Sequence, residues 1–214
     1  MKRLLATATL ALAATPALAH HPLGGLPMAS FADGLLSGIG HPVLGFDHLA
    51  FVLVMGVAAA FAPRPALTPL AYVAAMLAGT LAVSSGLALP LAEIGIVASL
   101  LVVGGVVLSG RALGAGTAVA LFAGFGLFHG AGFAGTIVGQ EGGVGAPVLL
   151  GYLLGLGIVQ YALALAAGWA TRRALGATRA AAVNARLAGA AVFGIGAFLA
   201  LEIVEAPLVA LIAG

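Results

Sequence analysis

The chain has 214 residues, of which 63% are hydrophobic and 7% charged, and its mean hydropathy is +1.22. A soluble domain carries roughly 25% charged residues, so this chain has too few to face water and reads as an integral membrane protein. The net charge of +2 and pI near 9.5 come with no basic patch, which argues against a nucleic-acid partner, and the absence of cysteine removes disulfides and thiolate ligands.

Residues 1–19 have the form of a cleaved signal peptide. Lys2 and Arg3 make a basic start, Leu4 to Ala14 an apolar run, and Ala17-Leu18-Ala19 a cleavage site after Pro16. The run is too short to span about 30 Å of hydrocarbon. Cleavage would leave His20 as the first residue, offering its amine and ring together as a chelate, with His21 beside it.

Residues 20–214 are expected to form one domain, an all-α six-helix transmembrane bundle. Six segments are apolar and long enough to cross: 43–62, 66–89, 92–110, 112–138, 146–170 and 187–212. Pro63, Pro65, Pro90 and the Gly142-Gly143 to Pro147 stretch separate them, while the boundary near 110–114 has only Gly110, Arg111 and Gly114. With the mature N-terminus external, Arg64, Arg111, Arg172, Arg173, Arg179 and Arg186 all fall in cytoplasmic loops, as the positive-inside rule requires. The expected setting is a bacterial-type inner membrane, with the C-terminus external as well.

This topology sorts the polar residues by depth. Asp47 and His48 lie one or two turns below the external face, and His129 stands about 25 Å from the cytoplasmic face at 1.5 Å per residue. Glu93 opens the third span on the external side. Glu202 and Glu205 close the sixth, and Gln140 and Glu141 lie in the loop after the fourth. Every His and every acid of the mature chain therefore maps to the outer half. Spans two and five contribute only Ser, Thr, Tyr, Gln160 and backbone.

A charge deep in lipid costs at least about 2.5–3.5 kcal/mol, so such groups need partners or a wet cavity. Imidazole and carboxylate serve divalent nickel, cobalt and zinc. His41 and His48 are seven residues apart, about 10.5 Å along a continuous helix, too far to grip one ion directly. Pro42 and Gly45 leave open a loop or a broken helix from Gly38 to Gly45 that bends His41 back. Otherwise the two rings are successive stations, and the plainer reading of His41 is a helix-start residue before proline. Asp47 is turned about 100° from His48 on a helix. Glu93 is also explained as a helix N-terminal charge. In "GFGLFHGAGFAG", residues 124–135, the glycines admit another helix closely and His129 is the ionisable group of the span.

"HPVLGFDHLAFVLVMGVAA" resembles the HP-x-x-G-x-DH segment of the HupE/UreJ family of nickel/cobalt permeases. "SSGLALPLAEIGIVASLLVVG" is similar to that family's LP…E stretch, and "LFHG" at 127–130 to its FHG motif. The resemblance covers nearly the whole mature chain. It implies uptake of nickel or cobalt, with no prosthetic group, with His41, Asp47, His48 and His129 as functional positions and Glu93 as the matching acid. Phe133 stands where the family has a second His after FHG, and the next acid, Glu141, lies further along. His20 and Glu202 complete the candidate ligands.

The expectation is a permease rather than an enzyme. The chain has no GxxxxGK[ST] nucleotide motif, and an intramembrane metal hydrolase is disfavoured by the lack of HExxH, although Ser84-Ser85-Gly86 offers serines. A membrane protein that binds metal without transporting it is the third reading.

Overall fold

The computed structural model describes residues 27–139 and 143–213, with side chains described as far as Glu205. The expected signal peptide, His20, Gln140 and Glu141 lie outside the described residues. Among the described residues there are seven helices: α1 (Phe31–Leu44), α2 (Phe46–Ala60), α3 (Thr68–Ser84), α4 (Ala92–Leu108), α5 (Ala115–Val138), α6 (Ala146–Arg173) and α7 (Val183–Ala213). No strand occurs among the described residues.

The described helices do not map one to one onto the six expected spans. Residues 31–44 were not expected to form an element of their own, yet a full capping box starts α1: the Ser30 hydroxyl accepts from the Asp33 N–H, and the Asp33 carboxylate accepts from the Ser30 N–H. Pro42 removes one donor from the last turn, and the chain turns extended at Gly45. Here α1 and α2 meet at 78°. The corner at Gly45 falls just inside the apolar segment expected over 43–62, and His41 lies in the last turn of α1 rather than at a helix start.

Of the rest, α5, α6 and α7 are each long and apolar enough to cross a membrane, as is the bent α1–α2 pair taken together. Helices α3 and α4 have 17 residues each. The second segment stops at Ser84, short of 89, because Gly86 takes a positive φ of 96° and the residues before Pro90 leave the helix.

The bundle is inside out by the standards of a soluble protein. His129, Gln160, Thr80, Ser99 and Ser37 are fully buried, while Leu150, Leu154, Ile158, Trp169, Leu187, Phe198 and Leu201 point outward. That is the pattern of a protein whose solvent is hydrocarbon. Helix α2 sits at the centre, with Phe51, Val52, Val54 and Met55 sealed among α4, α6 and their neighbours.

Glycine sets the close spacing of helix pairs. On α1 and α6 the contact is reciprocal, with Gly34 and Gly38 against the Val148 and Tyr152 carbonyls and Gly151 and Gly155 against those of Phe31 and Leu35. Gly126 and Gly130 of α5 likewise meet the Tyr72 and Met76 carbonyls of α3. Lipid offers no hydrophobic drive between helices, so contact of this kind supplies the association.

Charge is sorted along the axis. Arg172 donates to the Ala60 carbonyl at 3.2 Å and Arg186 to the Leu108 carbonyl at 2.9 Å, so arginines cover the C-terminal ends of α2 and α4. Asp47 and Glu93 lie in the first turns of the same two helices, at the opposite end.

A methyl group at Gly130 would strike the Met76 carbonyl, whereas one at Gly124 meets nothing within 4 Å. Gly130→Ala should therefore destabilise the bundle by about 1–3 kcal/mol, with Gly124→Ala neutral or stabilising. Thermal unfolding of the two variants in detergent measures the contrast.

Candidate functional site

The corner at Gly45 brings the rings of His41 and His48 to 5.8 Å between centroids, against the much longer separation along a straight helix. Of the alternatives the sequence left open, the broken helix is the one adopted. A Cβ on Gly45 would press on the His48 ring and the His41 carbonyl. Glycine is therefore required here by space rather than by its backbone angles, which any residue can adopt.

His48 reaches from α2 to α5, where its Nδ1 lies 2.8 Å from Nδ1 of His129. His129 Nε2 lies 2.9 Å from the Ser99 hydroxyl of α4, and that hydroxyl donates to the Ile96 carbonyl at 2.6 Å. The order of donors follows. With the Ser99 proton committed to Ile96, the Ser99 oxygen accepts from Nε2–H of His129. His129 Nδ1 then carries the lone pair and accepts from Nδ1–H of His48. Phe51 stacks on the His129 ring at 4.4 Å, and Tyr72 meets it edge-on at 5.7 Å.

His41 is half-buried, and its Nδ1 lies 2.8 Å from the Thr136 hydroxyl and 3.0 Å from that of Tyr152, which itself donates to the Phe133 carbonyl. Phe133 fills the space among the imidazoles. Its ring centroid is 5.1 Å from His41 and 4.2 Å from His48, and the side chain is fully buried. The position where the family's second imidazole would stand thus packs against both rings of the first motif.

The carboxylates form a separate group. Asp47 accepts the backbone N–H of His48 through Oδ1 at 2.8 Å. Asp47, Glu93 and Glu202 line one cleft of roughly 390 Å³, together with Ile96, Val97, Leu199 and Ile203. The structure therefore brings together two subsets of the expected residues: an imidazole group of His41, His48 and His129, and an acidic cleft of Asp47, Glu93 and Glu202. Among the described residues no three His, Asp or Glu side chains converge closely enough to hold one ion. Ser84 and Ser85 are not partners of either histidine; Ser99 is.

Sequence reading missed Ser99, Tyr72, Thr136 and Tyr152 as partners of the imidazoles. The usable signal was their isolation: single hydroxyls in otherwise apolar helices, which in lipid must find a partner.

Fold and site together define an all-helical membrane protein with imidazoles and acids gathered at one end. A profile described as HupE / UreJ protein matches residues 8–199, and the chain belongs to that family. It is also similar to Protein HupE of Rhizobium leguminosarum bv. viciae, 34% identical over 106 residues, which cover 49% of this chain and 53% of that relative. The match thus spans about half the length of the relative. No solved structure matches the chain significantly.

The donor order makes a direct prediction. Nitrogen-15 spectra of the metal-free protein should find His129 protonated at Nε2 and His48 at Nδ1. Ser99→Ala should abolish both preferences, while Thr136→Ala alters the signals of His41 alone.

Proposed function

We propose that this protein is an uptake permease for a transition-metal dication, nickel or cobalt, in a bacterial-type inner membrane. In this reading the chain crosses six times, with α1 and α2 together as the first crossing and the short α3 and α4 as the second and third. Both ends of the mature chain and the acidic cleft face outward, and the arginines face the cytoplasm. The observation that carries the reading is the contact of two imidazole nitrogens at 2.8 Å next to an acidic cleft, inside an apolar bundle.

The geometry suits an ion. Two nitrogens 2.8 Å apart, each about 2.1 Å from a metal, subtend about 84° at it. That is near the right angle of octahedral or square-planar nickel and cobalt, and tighter than the angle zinc prefers in a tetrahedral site. A bound ion would displace the proton between the rings, which passes to Nε2 of His48 as both Nδ1 lone pairs turn off their shared line toward the metal. Asp47, Glu93 and Glu202 attract the hydrated cation to the mouth, where their spacing holds it without full chelation. Weak holding is what a conduction path needs. His20 would join the outer end of this set.

The hydrolase reading finds only the Ser99–His129 contact in its favour. Ser99 is fully buried and its proton goes to a carbonyl rather than to the imidazole, so it is not an activated nucleophile. A metal-binding accessory without transport shares all the same ligands. Uptake separates the readings.

In proteoliposomes, His48→Ala and His129→Ala should each lower nickel or cobalt uptake by about tenfold or more with the protein still folded. A wild-type protein that binds the ion and moves none would be the accessory. Protons compete with the ion for the imidazoles, so uptake should fall as the external pH is lowered. Uptake that shows no pH dependence at all would argue against imidazole ligands.

Replacing the phenyl ring beside both imidazoles gives a test of gain. Phe133→His should raise nickel affinity by about tenfold or more, measured by calorimetric titration in detergent, with slower release.

A further inference from the structure

Below the imidazole pair the buried interior holds a second polar group that the proposed site does not use. Tyr72 of α3, whose ring lies against His129, donates its hydroxyl to Gln160 Oε1 of α6 at 2.5 Å. The Gln160 amide donates to the Leu156 carbonyl at 3.2 Å and faces the Met76 sulfur at 3.7 Å. The Thr80 hydroxyl lies 3.9 Å from the same sulfur. Tyr72, Met76, Thr80 and Gln160 are all fully buried, or nearly so. A buried glutamine in a membrane protein must find partners, and this one joins α3 to α6.

Its place in the bundle gives the reason. Gln160 begins an i, i+4 row on α6 that continues through Ala164, Gly168 and Arg172. Those three residues line a cavity of roughly 540 Å³ at the arginine end, with Gly56, Ala60, Trp169 and Thr178. Gln160 is thus one turn, about 6 Å, above the first of them. The acidic cleft lies at one end and this cavity at the other. Between them the described polar side chains run in a file: His48, His129, Tyr72, Gln160.

We infer that Gln160, with the Tyr72 hydroxyl and the Met76 sulfur, is a second, inner station on the ion path, which receives the dication from the imidazole pair and passes it to the cavity at the arginine end. This rests on the permease reading above. The station is neutral throughout: an amide oxygen, a phenol oxygen and a thioether. Oxygen and sulfur donors of this kind hold nickel or cobalt more loosely than imidazole does. The step from two imidazoles to three neutral donors therefore runs toward release. For the ion to enter, the Tyr72 hydroxyl must turn from the Gln160 oxygen, so the hydrogen bond between α3 and α6 closes the path when no ion is present.

The test uses the full chain in proteoliposomes with nickel as the probe, beside nickel binding measured in detergent. Gln160→Leu should cut uptake per folded molecule by about tenfold or more while equilibrium binding at the imidazole pair is little changed. Gln160→Met, of similar size but with a sulfur donor, should retain most of the uptake, and Tyr72→Phe should raise the ion leak at rest. Equal uptake in the Leu and Met variants would overturn the inference, as would loss of folded protein in both, which would make Gln160 a structural residue. A wild-type protein that binds nickel without moving it would remove the permease reading itself, and that result needs no variant.

Discussion

Hydrocarbon cannot satisfy a hydrogen bond, and nearly every feature of the site follows from that constraint. His129 has no exposed surface, so each of its nitrogens must be met within the protein, by His48 on one side and Ser99 on the other. Ser99 has to turn its proton to Ile96 to serve as acceptor, and this fixes the tautomers of both rings. Three helices are thereby tied through one imidazole. The partners hold both rings in place, which lowers the cost of ordering them.

The corner between α1 and α2 is what makes the imidazole group possible. Along a straight helix His41 and His48 would stand on one face, about two turns apart. Bent by 78° they come within 5.8 Å, and Gly45 leaves room for the ring that the turn presses against it. The reciprocal glycine contacts of α1 with α6 then hold the corner in place, since α1 is short and has little else to grip. Backbone packing and ligand geometry are parts of the same construction.

Much of this was legible from residue types. The apolar composition gave the membrane setting. The distribution of arginine, acid and histidine along the chain predicted that Asp47, Glu93 and Glu202 would share one end, and they line a common cleft. Helix α1 was hidden because its 14 residues mix Gly, Ser and Asp with apolar side chains, although the Ser30–Asp33 capping box marks its start. The partners of the imidazoles were illegible for a different reason. Ser99, Tyr72 and Thr136 meet histidines on other helices, and which helix faces which depends on glycine contacts such as Gly130 with Met76 that no periodicity reveals. Phe133 was noted as a substitution at a motif position, but that it packs against both rings needed three dimensions.

Helices α3 and α4 carry one more implication. At 17 residues each they are about 25 Å long, against about 30 Å of hydrocarbon in an ordinary bilayer. Crossing as proposed, they draw the lipid headgroups inward on their flanks, and the sheet of lipid around this protein is dimpled. The dry distance a hydrated cation has to travel is shortened by the same few ångströms. Membrane thickness thus becomes a variable of the transport problem alongside the side chains, and a thicker host bilayer would bear on the protein as strain.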